Sequence, residues 1–468
     1  MKQFLLLFAF LFTALQIHSQ ENLPADYLSK EFHKGRREAF RALMPANAAA
    51  VIFSYPERVF SKDVNYNYHQ NPDMYYLTGY KEPDAVLIIF KEMQGTGETY
   101  NEVLFVRERN AQRETWTGRR LGVEGAKSKL GFTNAYNGKD FNAFAIDFKK
   151  FDTIIYDKIP TDIGNDKSGF DLFGLLATFK SKAGISTEKE SSTELFTNIT
   201  NSLREIKTPE ELVLMRKTVK LSCIAHNEVM KAVGPDMSEN EADGIHAYVH
   251  KHYGSEGEGY PPIVGAGANG CILHYGENNA TKIDNQLLLM DVGSEYHGYA
   301  ADVTRTVPAN GKFTEEQKAI YQLVYEAQEE VFKICKPGTP FQDLNKKSKE
   351  VIAAGLIKLG IITDPKDVRI YYPHGCSHFL GLDVHDKGNY LSKLKENMIF
   401  TVEPGIYIPA NSKCDKKWWN IGVRIEDDIL ITNDSYENLS VESPRKWQDV
   451  EALAKQKSTF NDMKFPKI

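Results

Sequence analysis

The sequence predicts an α+β protein of two domains. Three observations carry that reading. The chain has 468 residues, too many for one ordinary hydrophobic core. Its C-terminal half reads as strand hairpins set beside separate long helices, not as regularly alternating strand–helix units. A helix-start signal at Thr208 follows a polar stretch, which divides the chain near residue 204. The expected organisation is residues 1–19 as a leader, 20–204 as an N-terminal domain and 205–468 as the domain that carries the chemistry.

Along the chain, Lys2 is a short positive region and residues 4–15 are apolar, a run too short for a comfortable membrane span. Ile17-His18-Ser19 follows as a usable cleavage site. This pattern reads as a secretory signal peptide, and an exported protein is expected, periplasmic or secreted if bacterial; an uncleaved anchor is the alternative. Composition is 42% hydrophobic and 26% charged, with a net charge of −6. That is a soluble globular balance, and it supports neither nucleic-acid binding nor a polybasic membrane contact. Export permits disulfides, but the five cysteines are widely spaced and form no CxxC pair. Buried free thiols are expected.

Residues 85–90, 103–106 and 151–156 are short apolar runs, suited to strands of a sheet covered on both faces. Residues 180–201 are polar and read as a solvated linker. Thr208-Pro209-Glu210-Glu211 is a capping box with Pro at the first helical position, and Leu212, Met215, Val219 and Cys223 continue at helical spacing. A strand at 286–292, a turn at 293–298 and a return strand at 299–307 form a predicted hairpin. Helices are expected over 314–335 and 341–359, and strands near 398–402 and 421–431. The tail after Ser443 is charged and reads as peripheral.

Asp291, Asp302, His378, Glu403 and Glu426 form the candidate site. Each lies in or beside a strand-like run. Asp291 and Asp302 are equidistant from a turn centred near Tyr296, so the hairpin would set them opposite each other, where like charges destabilise a ladder unless a cation intervenes. Strand alternation in Gly422-Val423-Arg424-Ile425-Glu426 puts Arg424 and Glu426 on one face. His374, His378 and His385 fall within twelve residues. Singly, each has a bland reading: a turn Asp, a solvated strand-end Glu, a weak cross-strand ion pair. Together, four carboxylates and an imidazole suit hard or borderline divalent cations. Mn²⁺ is the first choice, with Zn²⁺, Co²⁺ and Fe²⁺ as alternatives. Two such ions would lie roughly 3.5–4 Å apart, where bound water ionises near neutral pH and attacks a polarised carbonyl.

These segments resemble the pita-bread metallopeptidases, the family of methionine aminopeptidase, prolidase, aminopeptidase P and creatinase. The matching pieces are Met290-Asp291-Val292-Gly293, Ala301-Asp302-Val303-Thr304-Arg305-Thr306, Ser377-His378-Phe379-Leu380-Gly381, Val402-Glu403-Pro404-Gly405 and Arg424-Ile425-Glu426-Asp427. Asn269-Gly270-Cys271-Ile272-Leu273-His274-Tyr275, Asp73-Met74-Tyr75-Tyr76-Leu77-Thr78-Gly79 and Trp116-Thr117-Gly118-Arg119-Arg120 point to the aminopeptidase P branch. The resemblance implies a pita-bread C-terminal domain behind a creatinase/aminopeptidase P-type α/β domain, and hydrolysis of the bond between an N-terminal residue and proline. It implies that Asp291 chelates one ion, that His378 and Glu403 bind the other, and that Asp302 and Glu426 bridge them. By the same resemblance Glu403 relays a proton, and His274 and His385 bind the carbonyl and its oxyanion. His374 lines the proline pocket, Arg424 orients a carboxylate or substrate, and Tyr407 lies near the site. Asp73 and Trp116 shape substrate entry, from a neighbouring subunit of a homo-oligomer, dimer or tetramer.

Three other readings stay open: a prolidase-type Xaa-Pro dipeptidase, a creatinase-like hydrolase and a non-catalytic binding protein on the same fold. Two segments fall outside the pattern. Residues 411–420 form a long insertion between two strands of the site, and the tail beyond Ala454 carries Phe460, Met463 and Phe465.

Overall fold

In the computed structural model, which describes residues 24–161, 163, 169–186 and 190–463, the N-terminal domain is built on a mixed five-stranded sheet. The strand order is Ala135–Asn137, Tyr100–Val106, Val86–Gln94, Ala48–Phe53, Thr153–Tyr156. The two central pairings are antiparallel and the outer two parallel. Alternation sends Val86, Ile88, Phe90, Val103 and Phe105 into one core and Leu87, Ile89, Leu104 and Val106 into another. The unbroken apolar runs are therefore those of a sheet covered on both sides. Helix Leu172–Ala183 packs on one face, and Lys30–Leu43 with Glu190–Arg204 on the other. The proposed leader, residues 1–19, lies outside the described residues.

The expected linker at 180–201 is instead largely helical. Phe196 and Ile199 are buried, and Leu195 and Leu203 pack beside them. These four recur at helical spacing among Ser, Thr and Asn, so average polarity hid a narrow apolar stripe. After Arg204 the chain turns. The capping box at Thr208 then starts the helix Pro209–Ala232, with Thr208 and Glu211 bonded reciprocally.

In the C-terminal domain, helices Pro209–Ala232, Glu239–His252, Glu315–Phe332 and Phe341–Lys358 surround small antiparallel sheets. One sheet orders Thr304–Pro308, Leu287–Asp291 and Ile263–Ala266; another orders Ile399–Val402, Asp427–Ile431 and Tyr436–Asn438. Gly405–Ile408 pairs with Ile421–Arg424. A bridge between Thr304 and Glu426 ties this pair to the first sheet.

The hairpin register differs from the expectation by two residues. Asp291 faces Thr304, not Asp302, and Glu295 faces Ala300. The turn is centred on His297 and Gly298, both at positive φ (51° and 85°), as a tight two-residue turn requires. A side chain at Gly298 would also meet the Tyr75 ring at 3.1 Å. The turn is a separate small hairpin, Ser294–Tyr296 with Tyr299–Ala300, seated against the N-terminal domain. Asp302 lies in the break between this hairpin and Thr304–Pro308.

The tail is not peripheral. Helix Trp447–Leu453 buries Val450 in the main core of the C-terminal domain. Arg445 donates to Gln328 and Glu329, both at 2.8 Å. Phe460 packs edge-on against Tyr248; Phe465 lies outside the described residues. Residues 411–420 are a loop, but Trp418 is buried in the same core, and none of them lines the cavity described below. All five cysteines are free thiols, three of them buried. Among the described residues, no helix is long and apolar enough to cross a membrane.

Candidate metal centre

A cavity of about 710 Å³ opens in the C-terminal domain, and Asp291, Asp302, His378, Glu403 and Glu426 all line it. So do His274, His374, His385 and Arg424. Residues drawn from six separate segments thus meet at one place. Asp291 ends its strand, Glu403 follows the strand Ile399–Val402, and Glu426 sits in the gap between Ile421–Arg424 and Asp427–Ile431. Strand ends free the side chains to converge where a regular ladder would hold them apart.

The donor set is arranged for cations. His378 Nδ1 lies 3.1 Å from the Phe379 carbonyl. A carbonyl only accepts, so the proton sits on Nδ1 and the Nε2 lone pair faces inward. That lone pair meets Asp302 Oδ2 at 3.3 Å and Glu403 Oε1 at 3.6 Å, an arrangement that is repulsive without a positive charge between them. Asp302, His378 and Glu426 each offer a ligand atom within 4.8 Å of the others. Burial and the neighbouring Asp291 carboxylate push Asp302 well above the usual carboxylate range. Burial, with Asp302 and Glu403 beside it, does the same to Glu426. Burial raises Glu403 to about 7, with His378 opposing and Asp302 reinforcing the shift. Buried acids crowded in this way need either protons or cations, and the residues fit divalent metal.

Asp291 differs from the other three. Burial opposes its ionisation, but Arg424 and Tyr260 hold it below the usual range. Arg424 Nη2 donates to Asp291 Oδ2 at 2.5 Å, Nη1 to Tyr407 Oη at 2.8 Å and Nε to Thr304 Oγ1 at 3.1 Å. The guanidinium therefore fixes the orientation of the Asp291 carboxylate. Thr304 Oγ1 passes the contact on, donating to Glu426 Oε2 at 2.6 Å. His374 Nε2 lies 2.9 Å from Tyr407 Oη. Burial and Arg424 lower His374 to about 3, so it is neutral at pH 7. The His385 ring stands 4.3 Å from that of His378, edge to face. Burial, then His378 and His274, lower its pKa.

The three expected substrate contacts fare differently. Tyr407 is almost fully buried and braces Arg424 and His374 from behind the cavity wall. Asp73 does not line the cavity of its own chain: it is buried and bonded to Arg204 and Lys387, because a carboxylate on a packed helix needs internal cations. Trp116 is 86% exposed on the N-terminal domain and does not line the cavity of its own chain.

Sequence reasoning missed Tyr260, whose hydroxyl bonds both Asp291 and Asp302, at 2.5 and 2.6 Å. A single Tyr ahead of Pro261-Pro262 carries no periodic signal. It also missed Thr304, although period-two spacing from Asp302 puts it on the same face. Buried Gln328, which donates to the Val402 and Ile425 carbonyls beside Glu403 and Glu426, reads in sequence as an ordinary helix-surface residue.

Residues 213–433 match the metallopeptidase family M24, and residues 33–156 match the aminopeptidase P N-terminal domain. The Xaa-Pro aminopeptidase of Escherichia coli is 36% identical over 91% of this chain and 98% of its own. Human Xaa-Pro aminopeptidase 3 is 32% identical over 87% of this chain and 81% of its own. The structure of E. coli aminopeptidase P with the inhibitor Pro-Leu superposes with a TM-score of 0.81 at 34% identity, covering 92% of this chain and 98% of that one. With the α+β architecture, the acid-rich cavity and these matches together, the chain belongs to metallopeptidase family M24, on the branch that carries the aminopeptidase P N-terminal domain.

Proposed function

We propose that this chain is a two-metal Xaa-Pro aminopeptidase, releasing the N-terminal residue from peptides whose second residue is proline. The observation that carries this reading is the convergence of Asp291, Asp302, His378, Glu403 and Glu426 in one cavity rimmed by three further histidines. The relatives bear the matching activity in their names.

In this reading His378 and Glu403 would hold one ion and Asp291 the other, with Asp302 and Glu426 available to both. Mn²⁺ is our first choice, with Zn²⁺, Co²⁺ and Fe²⁺ as alternatives. When bound, the ions lower the pKa of water towards neutrality and polarise the scissile carbonyl. The chain's own residues do the rest. Glu403 takes a proton from the attacking water at a carboxylate oxygen and delivers it to the departing nitrogen. An Xaa-Pro bond has a tertiary amide whose nitrogen carries no hydrogen, and like any amide nitrogen it must be protonated to leave. His385 and His274 donate hydrogen bonds to the carbonyl oxygen as charge develops on it. His374, held neutral, lines the side that receives the proline ring.

The test is a metal titration with an Xaa-Pro-Yaa peptide series, Xaa-Pro dipeptides and creatine run in parallel. Metal-dependent cleavage of the longer peptides is expected. Cleavage of dipeptides alone makes this a prolidase-type enzyme, cleavage of creatine a creatinase-like one. Absence of both bound metal and peptidase activity makes it a binding protein.

We also propose export, supported by Lys2 and the apolar run after it. A cell-fractionation blot with N-terminal sequencing checks it: a mature chain starting near Gln20 outside the cytoplasm is expected. Assembly as a dimer or tetramer is a third proposal, checked by light scattering.

A further inference from the structure

Arg204 ends the helix Glu190–Arg204, and its side chain is almost wholly buried. Nη1 donates to Asp73 Oδ1 at 2.9 Å; Nη2 donates to Asp383 Oδ2 at 2.7 Å and also to Asp386. Asp73 belongs to the N-terminal-domain helix Pro72–Thr78. Asp383 and Asp386 flank His385 in the chain. Lys207 Nζ donates to Asp386 Oδ2 at 2.8 Å, and Lys387 Nζ to Asp73 Oδ2 at 2.6 Å. Three cations thus face three carboxylates where the two domains meet, and the cluster is neutral by itself.

The loop around His385 is pinned from several sides. Asp386 N donates to the Phe379 carbonyl at 2.8 Å, Gly381 N to the Asp383 carbonyl at 3.1 Å, and Ala300 N to the Gly381 carbonyl at 2.8 Å. A Cβ at Gly381 would come 2.1 Å from Asp386 Oδ2, so only glycine lets that carboxylate turn back to Arg204 and Lys207. Buried ion clusters add little net stability over apolar packing. What a planar guanidinium supplies is fixed geometry, here for both carboxylates that bracket His385.

We propose that Arg204 is a positioning residue for the reaction: by clamping Asp383 and Asp386 it sets His385 against the reacting carbonyl, and by binding Asp73 it makes that setting depend on the seating of the N-terminal domain. The inference rests on the reading of His385 as an oxyanion donor.

Arg204→Lys keeps the charge and loses the fork. In the metal-loaded full-length enzyme, kcat on an Xaa-Pro-Yaa peptide is expected to fall about 10- to 100-fold, with KM changed less than about threefold and metal content unchanged. In a His385→Ala background the same substitution is expected to change kcat by less than about twofold, because the group it positions is gone. Losses that multiply in the double variant overturn the proposal. Asp386→Asn, with the same expected non-additivity, serves if Arg204→Lys does not fold. If His385→Ala alone leaves kcat intact, the reading of His385 itself falls, a result distinct from multiplied losses.

Discussion

Two buried ion clusters, joined by the loop that carries His385, follow opposite charge rules. At the domain junction Arg204, Lys207 and Lys387 balance Asp73, Asp383 and Asp386. There burial opposes ionisation, yet Lys387 and Arg204 hold Asp73 below the usual range, and Arg204 with Lys207 does so for Asp386; only the part-exposed Asp383 is raised, by burial and by Asp386, with Arg204 opposing. In the cavity, Asp291, Asp302, Glu403 and Glu426 share one guanidinium, Arg424. There the same burial drives three of the four acids upward. The desolvation penalty is common to both places. Where the chain supplies its own counter-ions it makes a rigid joint; where it withholds them it keeps a place for metal.

Removing an acid from the cavity should have the largest effect. Asp302→Ala or Glu403→Ala is expected to lower kcat by more than about 10³-fold, with metal lost most directly for Asp302, as elemental analysis would show. His385→Ala, on the loop between the clusters, should lower kcat by about 10²–10³-fold while both ions stay bound. Loss of the ions would make His385 a ligand and erase the distinction between the regions on that side.

Removing an acid from the junction should act on stability as well as on kcat. Asp386→Ala leaves Lys207 and Arg204 under-compensated and should destabilise the fold by about 3–5 kcal/mol, read from urea unfolding of the metal-loaded protein. A loss of less than about 1 kcal/mol would mean that the junction is not a true buried network.

The two clusters should also respond oppositely to pH once metal is stripped. Glu403 has a folded pKa of about 7 against an ordinary 4.5. The folded state then binds more protons than the unfolded one across that window, so the Glu403 contribution to stability falls as pH rises from 4.5 to about 7, and Asp302 and Glu426, also held high, carry the fall further. Asp73 and Asp386 are held low, so their contribution is lost as pH falls below the ordinary Asp value. Scanning calorimetry of chelated protein should show the first slope, and restored metal should abolish it. The smallest effect belongs to a residue in neither cluster. Trp116→Ala should shift stability by no more than about 0.5 kcal/mol. A fall in kcat/KM confined to the assembled oligomer would place Trp116 at a neighbour's site.

The site was legible in sequence because charged residues in apolar strand runs need a reason. Asp291 after Leu287-Leu288-Leu289-Met290 and Glu426 after Ile425 carry that signal, and the strands and helices around them are found close to where periodicity puts them. The hairpin register was not legible, since His297-Gly298 is a less obvious turn pair than the symmetry of the two aspartates. The helix Glu190–Arg204 was hidden by its polar face, and the tail helix by having only Val450 fully buried.

By itself the sequence determined the class of fold, the capping of its helices and which acids had to be explained, because propensity, period and the penalty on buried charge are local properties. Only the tertiary structure decided which acids are left without counter-ions. Asp73 and Asp302 are both buried aspartates beside apolar residues, and nothing local separates them. Arg204, 131 positions from Asp73 along the chain, makes one a joint, while the crowding of Asp291 and Glu426 leaves the other in want of a cation, since electrostatic environment depends on distance in space and not along the chain.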